Sequence, residues 1–105
     1  MLKRSIAKKI SRVRDKGYLR HVREWPCLSC DLYHHSIAHH VQFAEGHKAM
    51  ALKVSDEWAV PLCTPCHVDL HASGDERLWW DLRGTDPLEW CKHEYENYKA
   101  KNQKA

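Results

Sequence analysis

The chain has 105 residues, including five cysteines and nine histidines, and a formal net charge of +3. This length suits one compact domain with a small core, which needs additional stabilisation such as a bound metal ion. The sequence contains no apolar stretch of membrane-spanning length and no recognisable secretory leader, so we expect a cytoplasmic protein without membrane contact. In a reducing compartment, cysteines at this density are more often metal ligands than disulfides.

The positive charge is concentrated at the N-terminus. Residues 1–23 contain nine lysines and arginines against one acid, a net charge of +8, so the rest of the chain carries −5. Ile6, Ile10 and Val13 recur at helical spacing, which indicates an amphipathic helix with a cationic face. We therefore predict two parts, a basic arm at 1–23 and a compact domain with C-terminal helices at 24–105.

The basic arm suits the phosphate backbone of a nucleic acid, because each neutralised phosphate releases a counterion. A solvated helix face without a partner, or an organellar transit peptide, would have a similar composition. The side chains predicted to contact DNA are Lys8, Lys9, Arg12, Arg14, Arg20 and Arg23.

Turn residues and alternating apolar residues divide the rest of the chain. WPCLSC predicts a turn, because Pro26 precedes the first cysteine. SIAHHVQF predicts a strand, and WAVPLC predicts a second short strand with Trp58, Val60 and Leu62 on one face. The segment between these strands, residues 44–57, is polar and has no clear secondary-structure signal.

Three helices are predicted after the second strand. Thr64 is a candidate N-cap, Pro65 fits the first helical position, and Gly74 fits the residue after the last turn. DERLWWDLRG predicts a further helix closed by Gly84, and DPLEWCKHEYENYKAK begins with a capping signal at Asp86. Strands followed by helices indicate the α+β fold class.

Two Cys-x-x-Cys units, Cys27 with Cys30 and Cys63 with Cys66, are the most specific motif in the chain. Two residues between thiolates let both sulfurs face one ion, and two such knuckles complete a tetrahedral shell. We therefore predict a structural Zn²⁺ site. Buried free cysteines or a redox Cys-x-x-Cys are the alternatives. Cys91, alone on the last predicted helix, is interpreted as a core residue.

Histidines near the second knuckle predict a second metal site. His67 and His71 lie one helical turn apart on the helix that Cys66 begins, so both imidazoles can reach one ion. The two strands can pair as a hairpin against this helix, which would bring His39 or His40 over the helical pair. Adjacent residues of a strand face opposite sides, so these two histidines are expected to have different roles.

The segments CLSC, AHHV and VPLCTPCHVDLH resemble the HNH endonucleases of the ββα-metal (His-Me finger) superfamily. The resemblance is to small zinc-stapled phage and prophage members related to recombination nucleases, and it extends over residues 25–82. It implies a zinc-stapled ββα-metal core. GDERLWW also resembles the region that follows the motif, without assigned chemistry. The family's middle Asn has no counterpart, and Asp56 is the nearest polar residue before the second strand.

On this resemblance, His40 is the general base, and His39, His67 and His71 are ligands of a catalytic divalent metal, Mn²⁺, Mg²⁺, Ni²⁺ or Zn²⁺. The implied reaction is hydrolysis of a DNA phosphodiester, in which His40 takes a proton from water while a metal ion offsets the developing charge. The implied partners are DNA and a recombination protein, with a monomer or a homodimer as the active form. A zinc-stapled nucleic-acid-binding or interaction module without catalysis is the alternative.

Overall fold

The computed structural model describes residues 13–32, 35–44 and 54–103. These residues form a small α+β fold, which confirms the predicted class, and none of their helices is long and apolar enough to cross a membrane. The elements are α1 (Lys16–Arg23), β1 (Ser36–His40), a 3₁₀ turn (Asp56–Trp58), β2 (Ala59–Cys63), α2 (Thr64–Ser73), α3 (Glu76–Arg83) and α4 (Pro87–Gln103).

The predicted basic arm is described only at its C-terminal end, which contains α1. Lys8, Lys9 and Arg12 lie outside the described residues, so the division between arm and domain stays a prediction. Arg20 and Arg23 are exposed on α1. Both side chains are therefore accessible to a polyanionic partner.

Helix α1 is packed into the domain by its apolar side. The Asp15 carboxylate accepts the backbone N–H of Tyr18 and caps the helix. Tyr18 and Val22 are fully buried, and the Tyr18 ring lies 4.8 Å from the ring of Tyr95 and 5.1 Å from that of Tyr98 on α4. The end of the predicted arm is thus packed against the folded domain.

Strands β1 and β2 form the predicted antiparallel hairpin, with Ile37 opposite Leu62 and His39 opposite Val60. Every residue of β2 is buried, because α1, α2 and α4 all contact this strand. Trp58, which we predicted as part of the strand, instead ends the 3₁₀ turn. Its N–H donates to the carbonyl oxygen of Ser55, so it closes that turn before the strand begins.

Helix α2 follows β2 without a loop. Its N-cap is Cys63 and not the predicted Thr64, because Thr64 already lies in the helix whereas Cys63 keeps an extended backbone. Pro65 lies in the first turn, and Gly74 ends the helix at a φ of 76°, a left-handed conformation that glycine adopts at little cost. The second knuckle therefore spans the strand-to-helix junction.

Helix α3 ends and helix α4 begins where the sequence predicts. Helix α3 is closed by Gly84, which has a φ of 69°. The Asp86 carboxylate accepts the backbone N–H groups of Leu88 and Glu89, which caps α4. Cys91 of α4 is fully buried, as predicted, and its thiol lies 3.5 Å from the carbonyl oxygen of Ala59.

The core lies between the hairpin and helices α2 to α4. Its apolar members are drawn from every one of these elements, and the two adjacent tryptophans of α3 are its largest side chains. The buried cluster consists of Cys27, Val41, Val60, Leu62, Cys63, Leu70, Trp79, Trp80 and Cys91. Two cysteines of the predicted zinc site belong to it, so that site and the core are continuous.

Two leucines of opposite exposure test this description of the core. Leu62 is fully buried on β2, whereas Leu82 on α3 is 75% exposed. Leu62→Ala should lower the free energy of unfolding by about 2–5 kcal/mol, because it removes buried methyl groups and leaves a cavity. Leu82→Ala, the matched control, should change it by less than about 0.5 kcal/mol. Urea unfolding of zinc-loaded protein measures both, and equal effects would contradict the assigned core.

Candidate metal centres

The two predicted knuckles meet at one point. The four sulfur atoms of Cys27, Cys30, Cys63 and Cys66 lie within 4.8 Å of one another, and all four cysteines are free. The Sγ atoms of Cys30 and Cys63 are 3.7 Å apart. A tetrahedral shell with Zn–S bonds of about 2.3 Å has edges of about 3.8 Å. Both the donor set and its spacing therefore fit a structural Zn²⁺.

The first knuckle is a tight turn shaped by its own backbone. Asp31 has a left-handed φ of 63°, and the Cys27 N–H donates to the carbonyl oxygen of Leu32 at 3.0 Å. The Cys30 N–H points at the Cys27 sulfur, 3.4 Å away. Burial alone would raise the pKa of the Cys27 thiol, but backbone N–H donors outweigh burial and lower the pKa to about 7. This turn favours the thiolate, which is the form that binds metal.

Arg83 of α3 holds the first knuckle against α2. Its Nε donates to the hydroxyl of Ser29 at 3.2 Å, and its Nη2 donates to the Asp69 carboxylate at 3.1 Å. The guanidinium carbon lies 3.6 Å from the centre of the Trp79 ring. The Trp79 indole donates to the same Asp69 oxygen at 2.8 Å. These contacts join the turn that carries Cys27 and Cys30 to the helix that begins beside Cys63.

A second cluster contains only imidazoles. The structure brings His39 of β1 next to His67 and His71 of α2, with ligand nitrogens within 4.8 Å of one another. The Nε2 atoms of His67 and His71 are 3.0 Å apart, and the His39 ring centroid lies 5.1 Å from that of His67. Burial, with the neighbouring His39 and His71, lowers the pKa of His67 and so favours the neutral imidazole that binds metals.

The cluster is closed on one side and open on the other. His39 is only 4% exposed, His67 is half-buried, and His71 is exposed. Three nitrogen ligands from the protein with one accessible side are typical of metal sites that keep coordination positions for water or substrate. The imidazole cluster therefore differs from the cysteine cluster, whose four sulfurs complete a tetrahedron.

His40 faces away from the imidazole cluster, as the alternation of a strand requires. Its Nε2 lies 2.9 Å from Oδ1 of Asp56, and its side chain is 29% exposed. The buried Asp56 carboxylate also accepts the Asp15 N–H at 2.7 Å and a guanidinium N–H of Arg14 at 3.2 Å. Burial alone would raise the pKa of Asp56, but these donors and their charge hold it below its usual value. An ionised carboxylate therefore orients His40.

Asp56 and Glu76 have roles that sequence reasoning did not assign. Asp56 was noted only as the polar residue nearest the missing Asn, and its pairing with His40 depends on the hairpin and the 3₁₀ turn. Glu76, in the segment GDERLWW, lies with Oε2 at 2.9 Å from Nε2 of His39. Burial would raise the pKa of Glu76, but the hydrogen bond from His39 keeps it below its ordinary value. Neither pairing follows from sequence spacing, since the partners are separated by 16 and 37 residues.

The predicted DNA contacts are only partly described. Arg14 lies beside Asp56 and is therefore close to His40, while Arg20 and Arg23 are exposed on α1. Their binding to DNA stays a prediction, as does that of the three basic residues outside the described part of the chain.

The fold and the two ligand clusters define a small α+β protein with a hairpin, packed helices and two groups of side chains suited to hold metal ions. A family model described as a protein of unknown function (DUF968) matches residues 5–95. This match covers most of the chain, so the chain belongs to the DUF968 family. No curated protein and no solved structure matches it. The function of the family is unknown, so membership assigns no activity.

The cysteine cluster predicts one tightly held zinc ion per chain. Cys63→Ser should unfold the domain, because zinc-binding energy is largely folding energy in small domains of this kind. Cys91→Ala is the matched control, since Cys91 is buried but lies outside the cluster, and this variant should keep its zinc. Metal analysis and circular dichroism of the purified proteins measure both effects. Folded wild-type protein without zinc would show that the cluster is not a zinc site.

Proposed function

We propose that this protein is a metal-dependent DNA endonuclease that hydrolyses phosphodiester bonds with His40 as general base. The main support is the arrangement of two adjacent imidazoles with different surroundings. His39 joins His67 and His71 at an open three-nitrogen cluster, while His40 is held by a carboxylate on the other side of the strand. Adjacent residues of one strand thus supply a metal ligand and an oriented histidine, the two kinds of group that metal-assisted hydrolysis uses.

His39, His67 and His71 are the residues that would hold the catalytic metal ion. When bound, a divalent ion supplies Lewis-acid stabilisation of the charge that develops on the phosphate oxygens. Three neutral imidazoles favour zinc, nickel or manganese over magnesium in affinity. Availability and open coordination positions also decide which ion works, so the candidate ions are Mn²⁺, Mg²⁺, Ni²⁺ and Zn²⁺.

The proton-transfer step is assigned to one atom of His40. The ionised Asp56 carboxylate accepts a hydrogen bond, so Nε2 of His40 carries the proton and Nδ1 keeps the lone pair. Nδ1 would take a proton from the attacking water, and the negative charge of Asp56 would then stabilise the imidazolium. Asp56 thereby orients the base and lies before the second strand, where the HNH endonucleases that the sequence resembles have an Asn.

Arg14 supplies positive charge next to the same base. Its guanidinium donates a hydrogen bond to Oδ1 of Asp56, the oxygen that also contacts Nε2 of His40. The Arg14 side chain is nevertheless 46% exposed. A guanidinium has five N–H donors in a fixed plane, which suits contact with phosphate oxygens. Arg14 would therefore bind the DNA backbone beside the bond that is cleaved.

Replacement of each histidine of β1 should impair DNA cleavage in a different way. His40→Ala should bind metal and DNA normally but lose cleavage by about 10²–10⁴-fold, the usual contribution of a general base. His39→Ala and His67→Ala should weaken the metal site, so a higher metal concentration should restore part of their activity. Plasmid cleavage against metal concentration, with structural zinc checked in each variant, measures the difference.

His93→Ala is the matched control for these variants, because His93 is an exposed histidine on α4 away from both clusters. It should cleave like the wild type. Rescue of His40→Ala, but not of His39→Ala, by excess metal would reverse the two assigned roles. Absence of divalent-ion-dependent cleavage by the folded, metal-loaded wild type would contradict the nuclease and favour the non-catalytic binding module.

The basic arm should supply affinity with little sequence preference, because its lysines and arginines suit phosphate contacts. Deletion of residues 1–12 removes five cations but keeps Val13, whose N–H donates to Ser55, and the Asp15 cap. Each lost phosphate contact should reduce the slope of log affinity against log salt by about 0.9 for duplex DNA. Filter binding or fluorescence anisotropy at several salt concentrations measures this slope.

The control for the deletion removes two cations elsewhere. Lys92 and Lys101 are exposed on α4, and their joint replacement by Ala should leave the salt slope near that of the wild type. An unchanged slope for the deletion would place the arm outside the DNA interface.

A further inference from the structure

Glu76 places a buried carboxylate behind the imidazole cluster. It is the first residue of α3, and its side chain is only 10% exposed. Burial of an ionised carboxylate is costly unless donors satisfy its oxygens. The contacts of Glu76 therefore indicate what this carboxylate does.

Each oxygen of Glu76 accepts a hydrogen bond from a group that can only donate, and one of the two oxygens also contacts His39. Oε2 accepts the indole N–H of Trp80 at 3.0 Å, and Oε1 accepts the backbone N–H of Gln42 at 3.2 Å. Oε2 also lies 2.9 Å from Nε2 of His39. Because the carboxylate is an acceptor for all three neighbours, the hydrogen of His39 belongs on Nε2.

We propose that Glu76 is a positioning residue for the metal site. Glu76 holds His39 as the Nε2–H tautomer, so that Nδ1 of His39 would face the ion. A ligating imidazole that donates its second nitrogen to a carboxylate is fixed in orientation and becomes a better ligand. The proposal rests on the metal site of the proposed function, but it does not depend on DNA cleavage.

His67 and His71 differ from His39 in the nitrogen that they offer. Their Nε2 atoms lie 3.0 Å apart, close enough to share one ion. The site would thus combine one Nδ1 ligand from the strand with two Nε2 ligands from α2. The helical imidazoles would hold the ion with their distal nitrogens, whereas the strand imidazole turns its distal nitrogen towards Glu76 of α3.

Three parts of the chain position the Glu76 carboxylate. Gly74, in its left-handed conformation, ends α2, and the Asp75 carboxylate caps α3 by accepting the N–H of Leu78. Trp80 lies one helical turn after Glu76, so both side chains are on the same face of α3. Gln42 lies two residues after the end of β1. The Glu76 contacts therefore also join α3 to the strand that carries His39.

Metal titration separates a positioning role from a purely structural one. With zinc retained in the cysteine cluster, Co²⁺ binding to the imidazole cluster is followed by its visible absorption in the wild type, Glu76→Gln and Glu94→Gln. Glu76→Gln should weaken Co²⁺ binding by about 10–100-fold. The neutral Gln side chain is a weaker acceptor for His39, and in the orientation that turns its NH2 group towards His39 it favours the other tautomer. Glu94 is a matched control, because it is a buried carboxylate 2.6 Å from Nε2 of His21 on α1.

The control variant should keep wild-type Co²⁺ affinity whatever its effect on stability. Wild-type affinity in folded Glu76→Gln would overturn the proposal, since a structural role predicts lower stability with unchanged metal binding. Cleavage is not measured in this titration, so a protein that binds Co²⁺ with the expected pattern but does not cut DNA would contradict only the nuclease.

The tautomer of His39 provides a test that needs no variant. ¹⁵N NMR of wild-type protein with a metal-free imidazole cluster should show the N–H at Nε2 of His39 and an unprotonated Nδ1. The Nδ1–H tautomer at His39 would overturn the proposal. This measurement also stands if Glu76→Gln fails to fold.

Discussion

The antiparallel pairing of β1 with β2 is the constraint on which both candidate sites depend. The pairing places His39 opposite Val60 and His40 opposite Ala59, next to the strand that leads into α2. Because side chains alternate across a strand, two consecutive imidazoles reach two different environments. A shift of the register by one residue would exchange them and would turn His39 away from the helix that carries His67.

Two buried carboxylates complete this division between the histidines. Glu76 lies 2.9 Å from Nε2 of His39, and Asp56 lies 2.9 Å from Nε2 of His40. Each is held by other donors as well, so its position is set by the surrounding fold. The same chemical pairing serves different purposes under the proposed function: one carboxylate aligns a ligand, and the other orients and stabilises a base.

The cysteine cluster connects these side chains to the stability of the domain. Cys63 is the last residue of β2 and the N-cap of α2, and Cys66 lies immediately before His67. An ion held by the four sulfurs would therefore set the direction in which α2 leaves the hairpin. In a chain of this size the apolar core is small, so metal binding and folding are expected to be coupled. The position of the helical histidines in the imidazole cluster would thus depend on the ion in the cysteine cluster.

Local sequence determined the elements and the candidate ligands, because these depend on short-range rules. The Cys-x-x-Cys spacing, the helical spacing of His67 and His71, and the caps at Gly74 and Asp86 all act within a few residues, and the structure contains the corresponding helices and ligand clusters. The sequence patterns misplace the cap of α2 and the start of β2 by one residue. Cys63 stays extended because it pairs with Ser36, and the hydrogen bond from Trp58 to Ser55 closes the 3₁₀ turn before β2 begins. Only the tertiary structure decided which carboxylate faces each histidine. Those contacts join residues far apart in the chain, and their pairing depends on how the hairpin, the 3₁₀ turn and α3 pack together.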